Sequence, residues 1–233
     1  MRKNTENKIY DLQRKPFVTY GFLAITILMF LIMTFNGGSE NPWTLVFFGA
    51  KINELIILGE WWRLITPTFL HIGFTHLLFN VVIIYFLGTQ LEMIIGHLRF
   101  FVLYLLSGLL GNAASFALND SISAGASTAI FGMFATTIVL AKLYPYHSGI
   151  QRLSRDYLVL IIINVVLGFF SDSIDNAGHL GGMLGGYLAM YALSSKNAVN
   201  NPSKRRIKYG LAYLTSLIIL IVIGFINTDI FGY

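Results

Sequence analysis

The residues able to do chemistry in this sequence are a serine, two histidines and an asparagine set among apolar neighbours. Ser127 stands in "GASTAIFG", His179 in "AGHLGGMLGG", and His76 and Asn80 in "FLHIGFTHLLFN". A serine hydroxyl is a weak nucleophile until a neighbouring base takes its proton, and histidine, with a reference pKa of about 6.5, is the usual base at neutral pH. Attack on a carbonyl builds negative charge on oxygen, which hydrogen-bond donors must meet. Asn80 offers a carboxamide NH2, and a helix beginning at Ser127 offers free backbone N–H groups and the positive end of its dipole. His76 and Asn80, four residues apart, share one helix face. Singly the signals are weak, since a serine at a helix start is commonly an N-cap and a histidine in a membrane helix is often a packing hydrogen bond.

What brings them together is the order of the apolar segments. The chain of 233 residues is 55% apolar and 12% charged, where soluble domains carry about 25% charged residues. A mean hydropathy of +0.68 asks for more interior than a chain of this length has, so lipid must be the solvent for much of the surface. A membrane-crossing helix needs about 20 mostly apolar residues, and such segments read at 17–35, 68–91, 100–118, 125–144, 156–171, 177–194 and 208–226, the fifth being the shortest. The expected fold is all-α, a polytopic membrane helical bundle of seven transmembrane helices. It divides into a cytoplasmic N-terminal segment 1–16, a six-span core 17–194 with an outer loop 36–67, and a basic cytoplasmic linker, seventh span and short outer tail over 195–233. The first span follows Arg2, Lys3, Lys8, Arg14 and Lys15, and is an anchor rather than a secretory signal, being too long and lacking a small-residue cleavage site before Asn36.

Basic residues accumulate on the cytoplasmic side of short loops. With the N-terminus inside, 14 of the 16 Lys and Arg residues fall inside, Lys51 and Arg63 being the exceptions. The positive charge is therefore a topology signal and not a nucleic-acid footprint; the cluster Lys204, Arg205, Arg206 and Lys208 belongs to the same pattern, beside anionic lipid. In this topology the second, fourth and sixth spans all enter from the outside. His76, Asn80, Ser127 and His179 then share one layer in the first turns below the outer face. The loop 36–67 carries Trp43, Trp61 and Trp62, which suit a membrane interface. The chain has no cysteine, which removes disulfides and thiolate chemistry, and no His-Glu-x-x-His pattern that would announce a zinc protease.

At these residues the chain resembles the rhomboid intramembrane serine proteases. The resemblance runs over about residues 55 to 190 and rests on His76 with Asn80, on Gly125, Ala126 and Ser127, on His179, on Trp62 with Arg63, and on Glu92 after the second span. It implies a dyad without an acid, with Ser127 as nucleophile and His179 as general base. The N–H of Ser127, with Asn80 and His76, would form the oxyanion hole. Phe131 would pack its ring against the base, and the fifth span with the loop Ser171 to Ala177 would act as gate and cap. The substrates implied are single-span membrane proteins, cut near the outer face of the lipid bilayer; no cofactor is implied, and the topology fits a bacterial plasma membrane. One departure is Thr128, where the family has glycine: a β-branched side chain beside the nucleophile is expected to crowd it.

Two other classes stay open at this level. A catalytically inactive rhomboid-like protein that binds membrane helices would be signalled by Thr128. A small transporter would line a midplane pathway with its polar groups rather than gather them near one face. Gly178, Gly182 and Gly186 are expected to let the sixth span approach Ala126, Ala129 and Gly132 closely. His71 is expected to orient the outer loop, Arg63 to brace it against carbonyls or Glu60, and His97 and His147 to be loop residues far from Ser127. Asp172 and Asp175 read as solvated turn residues ahead of the sixth span.

Overall fold

Apolar stretches too long to be covered by water become helices because each satisfies its own backbone hydrogen bonds. The computed structural model describes residues 15–168, 174–195 and 202–228. In chain order the helices are α1 (Phe17–Phe35), α2 (Pro42–Phe48), α3 (Asn53–Ile57), α4 (Phe74–Ile95), α5 (His97–Leu118), α6 (Ser127–Leu143), α7 (Ser148–Gly168), α8 (Asn176–Leu193) and α9 (Ser203–Asn227). Among the described residues there is no strand, only an isolated backbone bridge between Lys51 and Ser123. Helices α1, α4, α5 and α9 are long and apolar enough to cross a membrane, while α6 is apolar but has 17 residues. The expected all-α membrane bundle is what is found.

The centre of the bundle is α5, α6 and α8, which close on one another through small residues. A Cβ at Gly132 would lie 2.2 Å from Ser107, one at Gly181 would lie 2.3 Å from Ala114, and one at Gly186 would lie 2.1 Å from the Gly132 carbonyl. At Gly186 the approach is backbone against backbone, and at Gly132 and Gly181 backbone against the short side chains of Ser107 and Ala114, the geometry that small residues permit between membrane helices. On one side α9 lies along α5: Tyr213 donates to the Leu106 carbonyl at 2.8 Å, and Asn227 to that of Ala117 at 2.9 Å. On the other side α7 packs against α6.

Three boundaries differ from the sequence reading. The second span begins at Phe74, because Thr66–Phe69 is a 3-10 turn and the chain turns at Gly73, with φ +76. It then runs through a π turn at Ile84–Gly88 to Ile95, so Glu92 lies inside this span rather than after it. Glu92 is fully buried and accepts from Val18 N (3.0 Å), Thr19 N (2.8 Å) and Thr19 Oγ1 (2.6 Å), satisfying the first turn of α1. His97, 2.5 Å from the same carboxylate, is the first residue of α5 and not a loop residue. The fifth apolar segment lies in α7, a helix of 21 residues starting at Ser148: Arg152, Arg155 and Asp156 depress the hydropathy of its first turns without breaking the helix.

The connection from α1 to α4 folds over the end of the bundle where α4, α6 and α8 begin. Arg63 braces it, donating to Glu60 at 2.6 Å and to the carbonyls of Val46 and Ala50 at 2.9 and 2.8 Å. Trp43, Phe47, Leu58 and Trp62 point outward from it, an apolar fringe suited to the lipid interface. Of the sequence expectations, the segment 1–14, Asp172, Asp229, residues 196–201 of the linker and residues 171–173 of the proposed cap lie outside the described residues.

Candidate active site

Ser127 opens α6, and the two residues before it are fixed by bonds to another part of the chain. Gly125 has φ +152 and donates its N–H to the Pro67 carbonyl at 2.9 Å. A Cβ there would stand 2.6 Å from His76 Cε1 and 2.9 Å from Nε2, so glycine is required by backbone conformation and by the imidazole lying against it. Ala126 donates its N–H to His71 Nε2 at 3.3 Å. Because α6 starts immediately afterwards, the N–H groups of its first turn have no i−4 acceptor and are free to meet negative charge.

His76 and Asn80 arrive from the first turns of α4. Asn80 donates one N–H of its carboxamide to the His76 carbonyl at 2.7 Å, which leaves the other. His179 arrives from the first turn of α8, and its ring stacks on Phe131 with centroids 4.1 Å apart and planes at 14°. A single cavity of about 900 Å³ is lined by Ser127, His179, His76, Asn80, Phe131 and, from α7, Asn164. The structure thus brings together all four residues singled out from the sequence. His147 is not among them; it accepts from Ile150 N at 3.3 Å at the start of α7.

The depth at which α8 sits is set by glycine. A Cβ at Gly182 would stand 2.0 Å from the carbonyl oxygen of Thr128. The closest approach of the glycine row therefore falls on Gly132, as expected, and on Thr128, in place of the Ala126 and Ala129 also expected. Thr128 itself corrects the crowding expectation. Its side chain is 3% exposed, faces Gly111 and Gly178 in the seam between α5 and α8, and does not line the cavity. Its Oγ1 has no hydrogen-bond partner. The reason is azimuthal: one residue along a helix is a rotation of about 100°, enough to turn the side chain from the cavity into the packed interface.

Three residues near the site were passed over by sequence reasoning or given less than they do. Asp175, read as solvated, is the N-cap of α8: Oδ1 accepts from Gly178 N at 2.9 Å and Oδ2 from Ser123 Oγ at 2.8 Å. Burial would raise its pKa, but the donors around it, Gly178 N, the hydroxyls of Ser115 and Ser123 and the amide of Asn119, hold it below the usual carboxylate range. The spacing of an Asp three residues before Gly178 is an N-cap signal that the sequence did contain. His71, expected to orient the outer loop, instead accepts the N–H of Ala126, the residue before Ser127; burial, with His76 beside it, lowers its pKa to about 3, so it is neutral. Lys51, read only as an exception to the charge rule, is fully buried behind the cavity rim, and no local sequence signal marks it.

Comparison with known proteins identifies the family. The family model described as the Rhomboid domain matches residues 58–196. The chain is similar to Rhomboid protease GluP of Bacillus subtilis (strain 168), 44% identical over 84% of this chain and 38% of GluP. It is also similar to two proteins of Toxoplasma gondii: Rhomboid-like protease 1, 37% identical over 71% of this chain and 60% of that protein, and Rhomboid-like protease 3, 32% identical over 84% and 76%. The chain therefore spans less than two thirds of GluP and of Rhomboid-like protease 1.

Proposed function

This chain belongs to the rhomboid family, and from that membership we propose that it is an intramembrane serine endopeptidase with Ser127 as nucleophile and His179 as general base. The observation that carries the reading is the one cavity into which three helices deliver Ser127, His179, His76 and Asn80. In the first step His179 takes the proton of Ser127 Oγ as the oxygen attacks the scissile carbonyl. The oxyanion is met by the Ser127 N–H, by the free carboxamide N–H of Asn80 and by His76. His179 then gives its proton to the leaving amine, and water, activated by the same imidazole, hydrolyses the acyl-enzyme. No metal or cofactor enters these steps.

The orientation proposed places the site toward the outer side of a bacterial plasma membrane and the N-terminus in the cytoplasm, on the strength of the Lys and Arg asymmetry. A helical substrate hides its carbonyls in its own hydrogen bonds, so the proposed substrates are single-span proteins that unwind near their outer end, with small residues at the cut and a helix-weakening Gly, Pro or Asn nearby. The reading of an inactive helix-binding relative draws only on Thr128, and that side chain faces away from the cavity.

The test is labelling of the purified protein with a fluorophosphonate probe, alongside cleavage of tethered substrates in proteoliposomes. Ser127→Ala should abolish labelling, and both Ser127→Ala and His179→Ala should abolish cleavage while remaining folded; EDTA should have no effect. Turnover near wild type in either variant would overturn the dyad. Undiminished cleavage of a substrate whose Gly and Pro are replaced by Leu would overturn the unwinding argument.

A further inference from the structure

The segment that leads from α5 to Ser127 has no regular structure, and a buried cation holds it from behind. Lys51 is 0% exposed, and its three ammonium protons are all directed: to the carbonyls of Asn119 (2.5 Å) and Ser121 (2.8 Å) and to Asn53 Oδ1 (3.1 Å). Its backbone exchanges both bonds with Ser123, Lys51 N to Ser123 O at 2.9 Å and Ser123 N to Lys51 O at 3.2 Å. Asn53 ties the same segment again through Asp120 Oδ1 at 3.1 Å. On its other side the segment faces the cavity with Asn119, Ser121 and Ser123.

From Ser123 the connection continues in two directions. Along the chain it reaches Ser127 in four residues. Across space, Ser123 Oγ binds Asp175, whose other oxygen caps Gly178, the residue before His179. A buried ammonium whose direct partners are two carbonyls and a carboxamide is costly compared with an apolar side chain of the same length. What the ammonium supplies that such a chain would not is three donors in fixed directions on this segment.

We propose that Lys51 is a positioning residue for the dyad: by holding segment 119–123 it sets, through Ser123 and Asp175, where the first turn of α8 places His179 relative to Ser127. The proposal rests on the serine-protease reading of those two residues. The charged groups facing Lys51 are Asp175 from the cap of α8, Asp120 from the segment and Glu54 from its own stretch. Burial outweighs them and lowers its pKa from 10.5 to about 8. A neutral amine has two N–H donors for three acceptors, so as the pH rises through that value one bond is lost from the set that ties Lys51 to the segment and to Asn53, which is itself bonded to the segment. Stability moves the opposite way. Because the folded pKa lies below the unfolded one, the folded state sheds the proton first, and stability rises between about pH 8 and 10.5. A merely structural lysine would make the protein firmer at alkaline pH; a positioning lysine makes it firmer and less reactive.

The test uses the full chain in proteoliposomes, with fluorophosphonate labelling, cleavage of a tethered single-span substrate and amide hydrogen exchange on the same samples. Lys51→Met should slow labelling and lower kcat by roughly tenfold or more, with KM little changed. Ser123→Ala should slow labelling by about three- to tenfold. The double variant should be no slower than Lys51→Met, since both changes break one chain of contacts. Wild-type labelling should decline on the alkaline side with a midpoint near Lys51's own, and Lys51→Met should lack that decline. Exchange at the Ser123 and Gly178 amides should quicken in Lys51→Met. Labelling of Lys51→Met at the wild-type rate, multiplicative effects in the double variant, or unchanged exchange would each overturn the proposal. If Lys51→Met fails to fold, Ser123→Ala and the wild-type pH profile decide. If the wild-type chain neither labels nor cleaves, the protease reading falls, and amide exchange still decides whether Lys51 governs the cap of α8.

Discussion

The imidazole of His179 lies flat on the ring of Phe131, centroids 4.1 Å apart and planes at 14°. Phe131 stands one turn after Ser127 on the same helix, so α6 carries both the proposed nucleophile and the surface that orients the proposed base. Phe134 meets Phe131 edge-on at 5.7 Å and holds that ring in turn.

Phe131→Leu should therefore lower kcat by about 10- to 100-fold with little change in KM, because an imidazole free to rotate spends less time aligned with Ser127 Oγ. Steady-state kinetics on a tethered substrate check this, and an unchanged kcat would show that the stack does not orient the base.

Asn80 should behave as one donor among several. Asn80→Ala is expected to reduce turnover by about 10- to 1,000-fold while fluorophosphonate labelling stays detectable, because the Ser127 N–H and His76 remain. A silent variant would reduce Asn80 to a contact within its own helix, the 2.7 Å bond to the His76 carbonyl.

At Thr128 the two available changes should act in opposite directions. Thr128→Gly opens a void against Gly111 and Gly178 and should cost about 1 to 3 kcal/mol, seen as a lower Tm with an unchanged preference for residues at the cut. Thr128→Val keeps the shape and replaces an unpartnered buried hydroxyl, and should raise stability by about 1 kcal/mol. Broadened specificity in Thr128→Gly would mean that the side chain faces the substrate after all.

Gly182→Ala sets a Cβ 2.0 Å from a backbone oxygen that no rotamer can move. We expect a loss of about 3 kcal/mol or more, with labelling of Ser127 lost in step as α8 is pushed from α6. Gly210→Ala on α9, whose Cβ would meet only Ala192 at 3.9 Å, should leave both readouts near wild type. Equal tolerance of the two changes would contradict the close approach.

His71 makes the structure sensitive to acid. Its pKa is about 3 when folded, against an ordinary 6.5, owing to burial and then to His76. Stability from the neutral ring is thus complete above about pH 6.5 and falls by about 1.4 kcal/mol per pH unit toward pH 3. His71→Gln, which does not titrate, should flatten this dependence in thermal unfolding measured from pH 7 to pH 4. An equal slope in both proteins would place the acid sensitivity elsewhere.

The sequence by itself determined where the long apolar helices lie and which four residues could do chemistry, because hydropathy over about 20 residues and the order of short motifs are local properties. The same locality explains its errors. The start of α7 was hidden by Arg152, Arg155 and Asp156, since charged residues at a helix end lower a window average without ending the helix. Glu92 and His97 read as loop residues although they close the first turn of α1 and open α5. Which way Thr128 faces depends on the rotation of α6 against α5 and α8, fixed by contacts at Gly111, Gly178 and Gly182 that lie far apart in the chain. The roles of Lys51 and Asp175 were likewise decided by tertiary structure: each is an ordinary charged residue in a turn until segment 119–123, 68 residues beyond Lys51 at its nearest, folds between them and supplies the carbonyls and the hydroxyl that hold their charges.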